Sequence, residues 1–309
     1  MIINTGQRTD IPAFYSRWFL NRLQEGFVLV RNPYDPTHVT RYRLDPSVVD
    51  LLIFCTKNPA PMLPHMDELS SYRQFWFVTI TPYGKDIEKN VPDRSQVMED
   101  FCRLSEVVGP EAVSWRYDPI LLTEKYSLQY HLEAFREMAE KLRGSTGQVV
   151  ISFLDLYEKT KRNFPQGKPV CKEDRQRIGE AFAEIGKQNG MVVRSCFEGT
   201  ELAPYGVDVS GCMTKEVLEK ASGVRLCAPA QNLVRPGCDC LMGNDIGAYN
   251  TCRHFCRYCY ANYDRRTVLQ NAALHDPDSP MLVGDQMPED QVKDARQESW
   301  IDSQLVFPI

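Results

Sequence analysis

LLIFCTKNPAPMLPHMDELSSYRQFWFVTIT, residues 51 to 81, reads as a strand, a helix and a second strand. The outer pieces, LLIFCT (51–56) and FWFVTIT (75–81), are short, apolar and rich in β-branched and aromatic residues, while APMLPHMDELSSY (60–72) between them is amphipathic. Two strands separated by a helix pair parallel through a right-handed crossover. The same unit recurs along the first 200 residues. Further strands are expected at MIIN (1–4), AVSWRYD (112–118), QVVISFLD (148–155) and MVVRSCF (191–197), and helices at 12–26, 93–109, 127–144 and 172–190. Residues 28–46 read as a hairpin excursion between the first helix and second strand.

Strands alternating with helices give either an open doubly wound sheet or a βα-barrel. The expectation here is the barrel: an α/β fold with a partial (β/α) barrel of about six parallel strands over residues 1–200. Function gathers at the carboxyl ends of strands in both architectures. Those ends are polar in this chain: NTGQRTD, CTKNP, TITPYG, WRYDP, SFLDLYEKTK and RSCFEG. Residues 201–309 differ in character, being Gly-, Pro- and Cys-rich and irregular as far as a helix at 266–274, with an acidic tail ending SQLVFPI. This part is expected to pack on the barrel within one structural unit, ordered by bound metal more than by an apolar core.

The 309 residues carry a net charge of −5, which gives no general attraction for nucleic acid and makes duplex DNA an unexpected partner. No run approaches the roughly 18 uncharged apolar residues of a membrane span, and the opening MIINTGQRTDIP lacks the basic-then-apolar order of a signal peptide. A cytoplasmic location is expected. Reducing compartments make dense cysteines a metal signal more than a disulfide framework. Of the 11 cysteines, Cys55, Cys102 and Cys171 are scattered, and the others all lie between residues 196 and 259.

Cys252, Cys256 and Cys259 form a compact C-x3-C-x2-C triplet. A structural zinc site fills four positions. Three thiolates on a four-iron cluster leave one iron open to a small molecule. The segment CRHFCRYC, with Tyr258 just before the last cysteine, resembles the signature of radical S-adenosylmethionine (SAM) proteins. Together with TGQRTDIPAFY, CTKNP, RYDP and GNDIGAYNTCRHFCRYCYAN, it makes essentially the whole chain similar to the DUF1848 family, and TKNP and TIT resemble strand ends of the spore photoproduct lyase branch.

The resemblance implies a circularly permuted, TIM-barrel-like radical SAM fold, with CLMGNDI or its neighbourhood supplying the strand that completes the sheet. It implies a 4Fe-4S cluster on Cys252, Cys256 and Cys259, SAM on the open iron, and a 5′-deoxyadenosyl radical acting on an unknown substrate: a small molecule, a peptide or a nucleotide. An electron donor such as flavodoxin or ferredoxin is implied as partner. Gly6, Arg8 and Asp10 are candidates for SAM contact, although the chain has no GGE there and Asp10 also reads as a helix cap. Arg116 and Asp118 are candidates for the SAM carboxylate and ribose, or form a structural pair. Thr79, Thr81, Lys57, Asn58, Ser152 and Asp155 are lining candidates. Tyr258 and Tyr260 pack against cluster, adenine or core, and His254 reads as readily as a solvent-exposed residue as a functional one.

Cys196, Cys212, Cys238 and Cys240 form a second group, with Cys227 in reserve, suited to zinc or an auxiliary iron–sulfur cluster or left as free thiols. Two rival readings stay open: a non-catalytic metal-binding scaffold, and an iron–sulfur protein that acts without SAM.

Overall fold

The computed structural model describes residues 1–229 and 238–302; the SQLVFPI tail lies outside the described residues. Strand β1 (Ile2–Asn4) leads through α1 (Ile11–Phe14) and α2 (Ser16–Glu25) into a hairpin of β2 (Phe27–Asn32) and β3 (Asp35–Arg43). Alternation then runs β4 (Leu51–Thr56), β5 (Gln74–Thr79), α3 (Arg94–Val108), β6 (Val113–Ile120), α4 (Leu128–Lys141), β7 (Gln148–Phe153), α5 (Glu158–Asn163), α6 (Lys172–Gln188) and β8 (Val192–Ser195). Beyond these lie α7 (Lys215–Ser222), β9 (Asn244–Asp245), α8 (Arg265–Ala273) and β10 (Gln291–Asp294).

Seven strands form one parallel sheet in the order β8-β7-β6-β5-β4-β1-β9. From β1 to β8 the order never reverses. Right-handed crossovers that always step the same way leave their helices on one side of the sheet. The packing agrees, because side chains alternate between two cores. Leu52, Phe54, Trp76, Val78, Trp115 and Tyr117 share a core with Trp18, Phe101, Phe135 and Phe182 of the helices. Phe135 of α4 stacks on Phe182 of α6 with ring centres 3.7 Å apart. Ile2, Leu51, Ile53, Phe75 and Phe77 point the other way and pack on Met213, Val217, Leu218 and Leu226. Burying each such large side chain contributes about 1.5–3 kcal/mol.

The two-residue β9, inside CLMGNDI, lies at the sheet edge with Asn244 opposite Ile3 and Asp245 opposite Asn4. Close approach is needed there: a Cβ on Gly243 would stand 2.7 Å from the Ile2 carbonyl oxygen. The chain also returns to its start, with the Met1 nitrogen donating to the Glu298 carbonyl at 3.0 Å. β2 and β3 pair antiparallel as the expected hairpin, and β10 joins β3 in a second, three-stranded sheet.

Three local expectations are corrected. The helix at 60–72 is a shorter 3-10 run over Leu63–Leu69, with Pro64 in its first turn, where a missing backbone donor is tolerated. The helix at 12–26 breaks at Tyr15, whose φ of −137° and ψ of 23° are not helical. The stretch read as irregular up to residue 265 contains α7, started by Thr214 accepting from Val217 N and stopped by Gly223 at φ 69°. Among the described residues no helix is long and apolar enough to cross a membrane.

Candidate metal centre

A cavity of about 700 Å³ opens at the carboxyl ends of the parallel strands. Cys252, Cys256 and Cys259 line it, and so do Cys196, Cys212 and Cys240. Both cysteine groups therefore face one space. Gly6, Arg8, Asp10, Thr79, Arg116, Asp118 and Tyr258 line it as well, as do Lys57, Ser152 and Asp155 among the weaker candidates. Thr81 is buried beside it, and Cys238 and Asn58 are not among its lining residues.

The loop bearing the triplet follows β9 and is fastened at several points. Tyr15 donates its hydroxyl to the Thr251 carbonyl at 2.7 Å, and Asn90 N donates to the His254 carbonyl at 3.0 Å. Asn262 Nδ2 donates to the Cys252 carbonyl at 2.8 Å. His254 is not the exposed residue that the sequence left open: it is 2% exposed and donates from Nε2 to Asp10 Oδ2 at 2.8 Å. Asp10 also caps α1 through Ala13 N at 3.0 Å and accepts from Lys57 N at 2.8 Å.

Glu88 is the buried anion beside the triplet, 3% exposed. Its Oε1 accepts from Lys57 Nζ at 2.8 Å, from Thr81 Oγ1 at 2.7 Å and from the Tyr258 hydroxyl. Burial works against the charge on both Glu88 and Lys57, but their mutual attraction outweighs it, and each keeps its ionised form more firmly than in water. Sequence reading missed Glu88. It sits in a loop, GKDIEKN, where four charged residues look alike and nothing marks the one that turns inward.

Arg8 is engaged, with Nε 2.8 Å from Asp245 Oδ1 on β9, and Gln7 N donates to Asp245 Oδ2 at 2.7 Å. Gly6 lies so close to β4 that an added Cβ would meet the Cys55 carbonyl oxygen at 2.4 Å. Arg116 pairs with Asp118, which also accepts from the Ser152 hydroxyl. Tyr34, at the hairpin tip and 88% exposed, Tyr249, Tyr157 and Tyr260 give the cavity aromatic walls.

Among the described residues several polar atoms in this cavity are buried without partners: both side-chain atoms of Asn4, Thr9 Oγ1 and His254 Nδ1. Buried orphans of this kind are rare. Burial pushes the thiols of Cys252, Cys256 and Cys259 up, so without a cation they stay protonated. A metal ion reverses that, since coordination deprotonates a thiol outright.

In the second group, Cys212 Sγ stands 3.9 Å from Cys196 Sγ and 3.9 Å from Cys240 Sγ. Cys227 is exposed, with its backbone nitrogen bonded to the Trp300 carbonyl at 2.6 Å. As they stand, no group of three or more His, Cys, Asp or Glu side chains among the described residues is arranged to hold a metal ion.

A family model described as "Domain of unknown function (DUF1848)" matches residues 2–261. The chain belongs to the DUF1848 family. The match spans the parallel sheet and ends just beyond the cysteine triplet. No curated protein and no solved structure matches the chain.

Proposed function

We propose that this DUF1848 protein is a radical SAM-type enzyme built on a circularly permuted partial βα-barrel. The observation that carries the reading is the position of β9. It pairs parallel with β1, and the loop leaving its carboxyl end carries Cys252, Cys256 and Cys259 into the cavity. A cysteine loop after a barrel's first strand thus comes from the end of the chain, and the contact between residues 1 and 298 makes such a rearrangement sterically cheap.

The donor set fits the implied group: three thiols on one loop, in a cavity with unpaired polar atoms beside them. When bound, a 4Fe-4S cluster with one open iron supplies reductive cleavage of SAM and a 5′-deoxyadenosyl radical. The chain's own residues do the rest. The loop from Gly6 to Asp10 offers polar groups to the amino-acid end of a ligand, and Tyr249 and Tyr260 offer ring faces to its adenine. Lys57, Glu88 and Tyr258 hold the loop's inner side, and Arg116 and Asp118 present a fixed charge pair to the same cavity. The substrate is a small molecule, peptide or nucleotide, and reduction comes from a flavodoxin- or ferredoxin-type donor.

The test is electron paramagnetic resonance of the anaerobically purified, dithionite-reduced protein with and without SAM, beside Cys256→Ala. A 4Fe-4S signal that SAM alters and the variant lacks is expected. A cluster indifferent to SAM, or a protein without iron, overturns the reading in favour of SAM-independent iron–sulfur chemistry or a scaffold.

A further inference from the structure

The second cysteine group asks for a different metal. Cys196 directly follows β8, Cys212 comes after the turn beyond it, and Cys238 and Cys240 arrive from the segment that leads into β9. Four thiols thus come from three separate parts of the chain. Cys212 is 3.9 Å from two of the other sulfurs. A disulfide bond is about 2.05 Å long, so neither pair is a bridge.

The same distance separates two kinds of metal site. Sulfurs around one tetrahedral ion with metal–sulfur bonds of about 2.3 Å are spaced by ~3.8 Å, the tetrahedron's edge. Thiolates on a four-iron cube each bind a different iron and stand much farther apart. Separations of 3.9 Å from Cys212 therefore match ligands of a single ion.

Two further features show that these sulfurs are built in. Met213 N donates to Cys240 Sγ at 3.3 Å, a bond that stabilises a thiolate. Gly211, at φ 125°, passes between the sulfurs: a Cβ there would stand 2.7 Å from Cys240 Sγ and 3.7 Å from Cys238 Sγ. The Arg116 guanidinium also lies in the field of Cys196 and Cys212, where it offsets the negative charge that four thiolates leave on a divalent ion.

We infer that Cys196, Cys212, Cys238 and Cys240 bind one zinc ion, independently of the Cys252 loop. Its place is in the wall of the cavity that the Cys252 loop also lines, because Cys196, Cys212 and Cys240 face the same space. It ties the segment around α7 to the end of the sheet. Coordination releases the thiol protons.

The experiment is metal analysis of anaerobically purified full-length protein, grown with zinc available, for the wild type, Cys212→Ser, Gly211→Ala and Cys256→Ala. About one zinc per chain is expected in the wild type and in Cys256→Ala, and none in Cys212→Ser. Gly211→Ala is expected to release zinc to a chromophoric chelator several-fold faster. Because Cys212→Ser can also fail to fold, the wild type is stripped of zinc and titrated with Co²⁺, which should give the visible bands of tetrahedral thiolate coordination at one equivalent. Absence of zinc, zinc that persists in Cys212→Ser, iron that follows Cys212, or Co²⁺ bound without those bands overturns the inference. Retention of zinc in Cys256→Ala keeps this result separate from the fate of the SAM reading.

Discussion

His254 Nε2 donates to Asp10 Oδ2 at 2.8 Å, joining the cysteine loop to the loop after the first strand across most of the sequence. Asp10 spends its other contacts on Ala13 N and Lys57 N, so one carboxylate holds α1, the end of β4 and the triplet together. Asp10→Asn removes part of this acceptor capacity inside the protein and is expected to cost roughly 1–3 kcal/mol. His254→Phe, which keeps a ring against Phe14, is expected to cost less. Hydrogen exchange should quicken over residues 251–259 in both variants. Unchanged exchange there would show that the bond does not order the loop.

Glu88 gives a second test of how the loop is held. Glu88→Gln leaves Lys57 buried without its anion and should cost about 3–5 kcal/mol in urea unfolding. Adding Lys57→Met to Glu88→Gln should recover a large part of that loss, since the uncompensated charge is then gone. Losses that simply add in the double variant would show that the two residues do not act as a pair.

These two anchors also mark where sequence reading stops. The parallel sheet was legible because β4, β5, β6 and β7 are short apolar runs rich in β-branched and aromatic residues, with helical patterns between most of them. The strand that completes the sheet was legible only as a neighbourhood, CLMGNDI, because two residues carry no periodicity and β9 is fixed by pairing with β1. The cysteine triplet was legible from spacing alone. Its supports were not: Glu88, Asp245 and His254 acquire their partners from segments up to 244 residues away, and polar residues in loops have no pattern that reveals which will be buried. Helix α7 was hidden for the opposite reason, its short apolar face being set among glycines and cysteines that read as irregular.

Gly6 provides a local steric test. Its missing Cβ leaves room for the Cys55 carbonyl oxygen and Cβ, which a methyl group would meet at 2.4 and 2.5 Å. Both contacts belong to β4 at its backbone or first side-chain atom, so they cannot swing away. Gly6→Ala should lower stability by about 1–3 kcal/mol. Gly147→Ala is the control, because nothing lies closer to its added Cβ than the Glu111 carboxylate at 3.8 Å. Equal melting temperatures for the two variants would show that the loop gives way at Gly6 without cost.

His131 is fully buried, with Nε2 2.9 Å from the Leu121 carbonyl and Nδ1 2.7 Å from the Tyr117 hydroxyl. Burial lowers its pKa from 6.5 to about 4, against the opposing pull of the Leu121 carbonyl. Between those values the unfolded chain binds a proton that the folded chain refuses, so this residue's contribution to stability falls as pH drops from about 6.5 towards 4. The loss approaches roughly 3 kcal/mol at the lower end, at 1.36 kcal/mol per pKa unit. Urea midpoints of the wild type and His131→Gln at pH 7 and pH 4.5 isolate it from the general titration of carboxylates. The variant should be less stable at pH 7, where the Tyr117 bond is lost, and should lose less on acidification. A parallel decline in both proteins would mean that His131 takes up its proton in the folded state as readily as in the unfolded one.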